Sequence, residues 1–538
     1  MSRPRRVAGT KRAVAGAVAV TAAAVLSACS GGTSTAAGEP GTATGAPKAG
    51  GDARLLITQA IFSLDPAAVQ TGNYGAQGGY MQALYDVLFY ADIATNTVTG
   101  QLGERIEPVD DTCESWTLVL KPGLKFTDGT PLDAEAVVFN WERIQDPETA
   151  SPQAPKLAGV TASAKNDTTV DIRLKTANCA FDRIVANSLG YIASPTAIKA
   201  SGKQYAEKPV GAGPFKLAQW NRTANELKLV KNEDYLTPGE PHLDSVTFAT
   251  AGNAATVIDS IVSGQVQIAN NVSTPTAVDD AMAAGLGVTT LKPSGGAAYQ
   301  FNEKKAPFGE LCARQALAYA LDPAAIDKAL NQSQKVGGPT YGLMDPSSAF
   351  HDESLKFPSA DPAKAAEAVK ECEAKGNPLR FTITALPGTD QKLAEYVASR
   401  LNQVGGFDVK VEIITAADAY TKIFVNRDFQ VTSYPGGMKF HDPDPLFGDW
   451  LSSGGATNLT GYATKEMDDA LVAARGSRDE KDRIAAYRKV QEIWTTDLPF
   501  WIWGKPISFF VHDAKLTGVE PVNGGLDILL TQKLAYTG

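Results

Sequence analysis

Residues Leu118 to Trp141 read LVLKPGLKFTDGTPLDAEAVVFNW, and each chemical change along them marks a change of structure. Trp116-Thr-Leu-Val-Leu120 alternates large apolar and polar side chains, the period of a strand with one face buried. Pro122-Gly123 turns it, Leu124-Lys-Phe126 returns, and Asp128-Gly129 makes a second turn. Asp133 then stands where a helix needs an acceptor for its first free N–H groups. Val137, Trp141 and Ile144 follow at i, i+4 and i+7, one face of that helix. This is core patterning and needs no ligand to explain it.

Working outward, the same alternation of strand and helix signals continues without an internal repeat, so the chain is expected to be α/β. A helix is expected from about Glu310 to Leu321, and Asp322-Pro323 caps the next by placing Pro in its first turn. Asp361-Pro362 repeats the device, with Gly376 ending that helix. The chain has 538 residues, 43% hydrophobic and 20% charged, enough for a large core in two or three domains.

The N-terminus carries an address. Arg3, Arg5, Arg6, Lys11 and Arg12 form a basic region, Ala13 to Leu26 an apolar run too short to span as a finished helix, and Ser27-Ala28 a small-residue cleavage site. Leu26-Ser27-Ala28-Cys29 resembles the lipobox of bacterial lipoproteins, in which the thiol is lipidated and Cys29 becomes the first mature residue. The alternative is an ordinary signal peptide with a chance Cys. Ser30 to Gly51 are mostly Gly, Ala, Thr, Ser and Pro and read as a tether with a reach of about 25 Å. Residues 1–28 are therefore a signal peptide and 29–51 a lipidated Cys with its linker, holding the body at the outer face of the cell membrane. Removing the signal leaves 45 Lys and Arg against 59 Asp and Glu, a formal charge of −14, which argues against a nucleic-acid partner.

Enzyme motifs are missing. There is no Gly-x-Ser-x-Gly elbow, His-Glu-x-x-His, Walker A loop or Gly-x-Gly-x-x-Gly after a strand. His242, His351, His441 and His512 are scattered singly, so no catalytic base, metal site or cofactor is indicated. Five cysteines become four once Cys29 takes lipid; outside the cytoplasm an even number suggests disulfides, with three pairings open and four buried free thiols as the alternative.

Taken in order, these pieces resemble the family 5 solute-binding proteins of ABC importers, which include dipeptide-, oligopeptide- and nickel-binding proteins. The blocks that carry the resemblance span nearly all of residues 52–538: Ser63-Leu-Asp-Pro66 with Leu84 to Phe89; the 118–141 stretch; Pro209-Val-Gly-Ala-Gly-Pro-Phe215, with Ala212 where the family has Thr; Arg314 to Pro323; and Asp442-Pro-Asp-Pro445 with Asn458 to Tyr462. The resemblance implies a two-lobed periplasmic-binding-protein-like type II fold that closes on a solute and delivers it to a membrane permease, as a monomer. It implies lobe I at 52–85, 205–297 and 504–538, a subdomain inserted at 86–204, and lobe II at 298–503, with crossing strands near Tyr299-Gln-Phe-Asn302 and Phe500-Trp-Ile-Trp503. Pairing Cys113 with Cys179 and Cys312 with Cys372 keeps each bridge inside one such domain, each closing a loop that stabilises by about 4 kcal/mol.

Two strips are the expected ligand contacts. Gln70-Thr-Gly-Asn-Tyr74 corresponds to the segment whose backbone pairs with an extended peptide, with Thr71 within it, Gly72 permitting close approach and Tyr74 an aromatic wall; the alternative is a surface loop. The second strip is Tyr434-Pro-Gly-Gly-Met-Lys-Phe-His-Asp-Pro-Asp444. Peptide-binding members carry an acid three positions before the Asp-Pro element, where it pairs with the substrate's α-ammonium; here that position is Lys439. Such a site favours an anion or an amine-blocked peptide. Alternatively Lys439 pairs with Asp442, or lies on an exposed loop, or a slip of one to three residues gives Asp442 to the amine. His441 beside it leaves a weak nickel-chelate option, and Trp450 facing the cleft would keep a sugar-stacking option alive. The expected function is the binding lipoprotein of an ABC importer for an oligopeptide or modified, anionic peptide-like solute; the alternatives are a receptor for an oligosaccharide or nickel chelate, or a non-transport sensor of the same fold.

Overall fold

The computed structural model describes residues 45–538 except 58–59, 69–73, 93–94, 96, 251–255, 273–274, 291–293, 332–335, 359, 441, 445, 456, 506–508 and 523–527; at 74–76, 271, 290, 416–417, 420 and 434–439 it describes the backbone alone. The signal segment, Cys29 and most of the tether lie outside the described residues.

Two mixed sheets organise the body. The first has seven strands in the order Gly287–Thr290, Phe509–His512, Ile268–Val272, Asp52–Ile57, Ser245–Thr250, Glu226–Lys231 and Phe215–Asn221. Ala53, Leu55 and Ile57 alternate inward on its central strand. The second has five strands, Phe407–Ile413, Leu379–Ala385, Val431–Phe440, Ser294–Phe301 and Phe500–Gly504. Its 294–301 strand, SGGAAYQF, is buried at every position, as expected of a strand covered on both faces. The chain passes from the first sheet to the second between Thr290 and Ser294 and returns between Gly504 and Phe509. These two passages make the molecule two-lobed.

A third sheet is antiparallel and four-stranded: Gly103–Pro108, Ser115–Leu120, Thr169–Leu174 and Val160–Asn166. The 118–141 stretch builds one face of its core. Asp133 caps the helix Ala134–Gln145 by accepting from the Ala136 N–H at 2.9 Å, and Val137, Trp141 and Ile144 are buried against the sheet. The expected return of Leu124–Phe126 along the 116–120 strand does not form. Both edges of that strand are already taken, by 103–108 and 169–174, so 124–126 folds onto 130–132 instead. Gly123 and Gly129 sit at φ 73° and 83°, the left-handed conformation those two turns demand.

The other local signals hold. Helices run Leu311–Ala320, Pro323–Leu330 and Pro362–Ala374, with Asp322 and Asp361 accepting from the first free N–H groups of the last two. In the 209–215 turn, a Cβ at Gly211 or Gly213 would run into the Leu84 backbone, which accepts from the Gly213 N–H at 3.0 Å. Disulfides join Cys113 to Cys179 and Cys312 to Cys372, with Cα atoms 5.0 and 5.6 Å apart. The tether ends sooner than its composition suggests. Pro47–Lys48 pair with Tyr536 and Thr537, and the Gly50 and Gly51 N–H groups are held by His242 and Asp244. Backbone pairing needs no side chain, so a Gly- and Pro-rich segment can still be pinned. Among the described residues no helix is long and apolar enough to cross a membrane.

Candidate ligand-binding site

The residues that precede the first strip are firmly held. Arg143 grips Asp65 with two hydrogen bonds of 2.8 and 2.5 Å, Ser151 donates to the Ala67 carbonyl at 2.7 Å, and Tyr85 donates to the Leu64 carbonyl at 2.6 Å. These bonds fix Ser63–Ala68, the approach to the strip. Gln70, Thr71 and Gly72 lie outside the described residues. Tyr74 begins the helix Tyr74–Tyr85, so at that residue the backbone no longer continues an extended strip.

Residues 434–440 of the second strip lie in the strand Val431–Phe440, with Tyr434 opposite Ala298 and Lys439 opposite Gly295. Between them residues 435–437 stand against Ala297 alone, a bulge that contains Pro435, which lacks an N–H, and the pair Gly436-Gly437. Its start is parallel to 379–385, so it runs past the carboxyl end of that strand, where open α/β sheets commonly place their ligands. His441 lies outside the described residues.

Asp442 is placed differently from the ligand contact expected of it. Arg483 clasps its carboxylate with hydrogen bonds of 2.8 and 2.6 Å, and Arg183 Nε lies 2.9 Å away. Burial alone would raise the Asp442 pKa, but the Arg483 hydrogen bonds and the charges of Arg183 and Arg483 outweigh it and hold it below the ordinary carboxylate range. A carboxylate so engaged is structural. Asp444 is likewise buried, accepting from Arg475 at 2.7 and 3.0 Å and from Tyr487 at 2.9 Å. Trp450, on the helix Leu446–Leu451, is half-buried with its ring edge-on to Phe500, centroids 6.1 Å apart.

Sequence reasoning missed the basic partners Lys156, Arg183, Arg475, Arg478 and Arg483. The doubled Asp-Pro was a signal that two short acids sit in a tight turn; nothing in the local sequence paired them with arginines. Away from the strips, a polar trough of about 680 Å³ lies along the 379–385 and 407–413 strands. Four of its charges pair within it, Lys422 with Glu412 at 2.6 Å and Lys305 with Asp428. Among the described residues no group of three His, Cys, Asp or Glu is gathered closely enough to hold a metal.

Comparison with known proteins places this geometry. Residues 97–458 match the model of the bacterial extracellular solute-binding proteins, family 5. The chain is 29% identical over 500 residues to the glutathione-binding protein GsiB of Shigella flexneri, covering 87% of this chain and 94% of that one. In fold it resembles DppA of Helicobacter pylori, solved with the peptide STSA (TM-score 0.80, 22% identity, 91% of this chain and 99% of that one). It also resembles AgaA of A. tumefaciens R10, solved with agropinic acid (TM-score 0.78, 23% identity, 90% and 99%). With its two sheets, double passage and Asp-Pro strip, the chain belongs to the family 5 extracellular solute-binding proteins of ABC importers.

Proposed function

We propose that this protein is a lipoprotein, anchored through Cys29 at the outer face of the cell membrane, that captures an oligopeptide or a modified, anionic peptide-like solute and hands it to a membrane permease. The observation that carries the reading is the double passage between the two sheets. Two short connections joining two independently cored lobes allow a swing about both, and a solute gripped by each lobe stabilises the closed arrangement. The lobes are taken as 52–85, 205–297 and 504–538 against 298–503, with 86–204 inserted in the first. Binding, without covalent chemistry, is then the whole task.

The ligand class follows from the strand 431–440. Lys439 lies on it at the position where the resemblance implies an acid in peptide-binding members, so with its ammonium turned to the solute a carboxylate or an amine-blocked peptide meets attraction and a free α-ammonium meets repulsion. Agropinic acid, bound in the AgaA structure, is a solute of the acidic class proposed here, whereas glutathione, named for GsiB, pairs two carboxylates with a free amine. Gln70, Thr71, Gly72 and Tyr74 would line one side, and Tyr434, Lys439, His441 and Trp450 the other. A thermal-shift screen of the purified protein tests the reading, because a ligand that binds only the folded state raises its apparent stability. The panel holds matched tripeptides with free and acetylated amines, glutathione, organic acids, oligosaccharides and nickel–histidine chelates. The largest shifts are expected for acetylated peptides or organic acids; the largest shift from free-amine tripeptides would overturn the charge reversal, and response to sugars or nickel chelates alone would overturn the peptide class.

A further inference from the structure

The strip that would meet the ligand ends on a set of charges contributed by two separate parts of the chain. From the four-stranded body come Lys156, Asp182 and Arg183; from the chain between the two passages come Asp442, Asp449, Arg475 and Arg478. Arg183 Nε lies 2.9 Å from Asp442, Arg478 lies 3.7 Å from Asp182, and Lys156 pairs with Asp449. The Cys179 N–H donates to the Arg475 carbonyl at 2.7 Å, and the Arg478 guanidinium lies 5.5 Å over the Trp116 ring. Apart from Arg478, the five paired side chains are only 6 to 18% exposed, so this is a desolvated face and not a scatter of surface pairs.

We infer that this face is a clasp: Asp182 and Arg183 on the four-stranded body, with Asp442 and Arg478 on the opposing lobe, hold the closed receptor together and set ligand affinity without touching ligand. The sign follows from the geometry. Asp442 receives both Arg483 hydrogen bonds from within its own lobe, so most of its desolvation cost falls before closure, and Arg183 adds attraction to a carboxylate already out of water. Closing also fixes the contact residues. Asp442 lies on the strip three residues beyond Lys439, and Asp449 adjoins Trp450, so anchoring these acids sets the register of both. The Cys113–Cys179 disulfide braces the far side, where Trp116 Nε1 donates to the Cys113 carbonyl at 3.1 Å. Arg183 and Arg478 are thus positioning residues.

The inference rests on the closing-receptor reading, and its test separates the two. Arg183→Ala leaves Asp442 paired with Arg483, and Arg478 is about half exposed, so both alanine variants are expected to fold with nearly the parent melting temperature. Each is expected to weaken binding of glutathione or an acetylated tripeptide about tenfold, mainly through faster dissociation, with Arg183→Lys restoring part of the loss. Unchanged affinity and dissociation rate in both alanine variants would overturn the clasp. If the parent protein binds none of these probes, the ligand reading fails, and the clasp is read from the distance between nitroxides at exposed positions Lys165 and Glu395. A short-distance population in the parent that shrinks in both variants is expected; its absence from the parent, or its persistence in the variants, would overturn the inference.

Discussion

Asp390 and Asp442 are both buried carboxylates, and their surroundings push them in opposite directions. Asp442 is held low by its arginines, so the stability it contributes is present at neutral pH and lost as pH falls below the ordinary carboxyl range through its depressed value. Asp390, in the first turn of the helix Thr389–Val404, is raised to about 6 by burial that the Ser433 hydroxyl and the Leu386 N–H only partly offset. Its pKa is higher folded than unfolded. It therefore costs nothing near pH 2.5, begins to cost as pH rises through about 4, and costs on the order of 3 kcal/mol once pH passes well above 6. Asp390→Asn should raise the melting temperature at pH 8 far more than at pH 4; an equal effect at both would mean the charge is not the cause. At Lys439, substitution by Asp should create affinity for free-amine tripeptides that the parent lacks, measured by titration, and no change would place Lys439 outside the site. Residue-scale signals were legible only when the partner was near in sequence. Asp133, Asp322 and Asp361 cap helices through N–H groups two or three residues away. Asp442 takes its partner from 41 residues away, beyond the reach of any local pattern.

At the scale of elements, periodicity identified helices better than it paired strands. The helix 134–145 follows from spacing alone, because a 3.6-residue period has one buried face whatever packs on it. The neighbours of the 115–120 strand do not follow, since alternation gives the face but not which strand lies alongside, and 103–108 and 169–174 displaced the nearer 124–126. The same limit hid the pinned end of the tether, whose partner at 536–537 lies at the opposite terminus. The Cys312–Cys372 bridge ties the helices 311–320 and 362–374 beside the sheet that carries the second strip. Replacing both cysteines by serine should lower stability to denaturant by about 4 kcal/mol while leaving ligand affinity within twofold. A large loss of affinity instead would mean that the bridge shapes the site.

For the whole molecule, the motif blocks made the two-lobed fold legible because their turns and caps are local and specific. The charge pairs between the four-stranded body and the opposing lobe were not, being contacts between segments that meet only when the chain is folded. Of the proposed site, the sequence named the two strips, whereas the engagement of Asp442 by arginines was not legible in it. What the two lobes close upon turns on one charge. Isothermal titration of the purified protein with a single tripeptide in free-amine and N-acetylated forms decides it. One-to-one binding with the acetylated form at least tenfold tighter is the predicted result, and tighter binding of the free amine would contradict it.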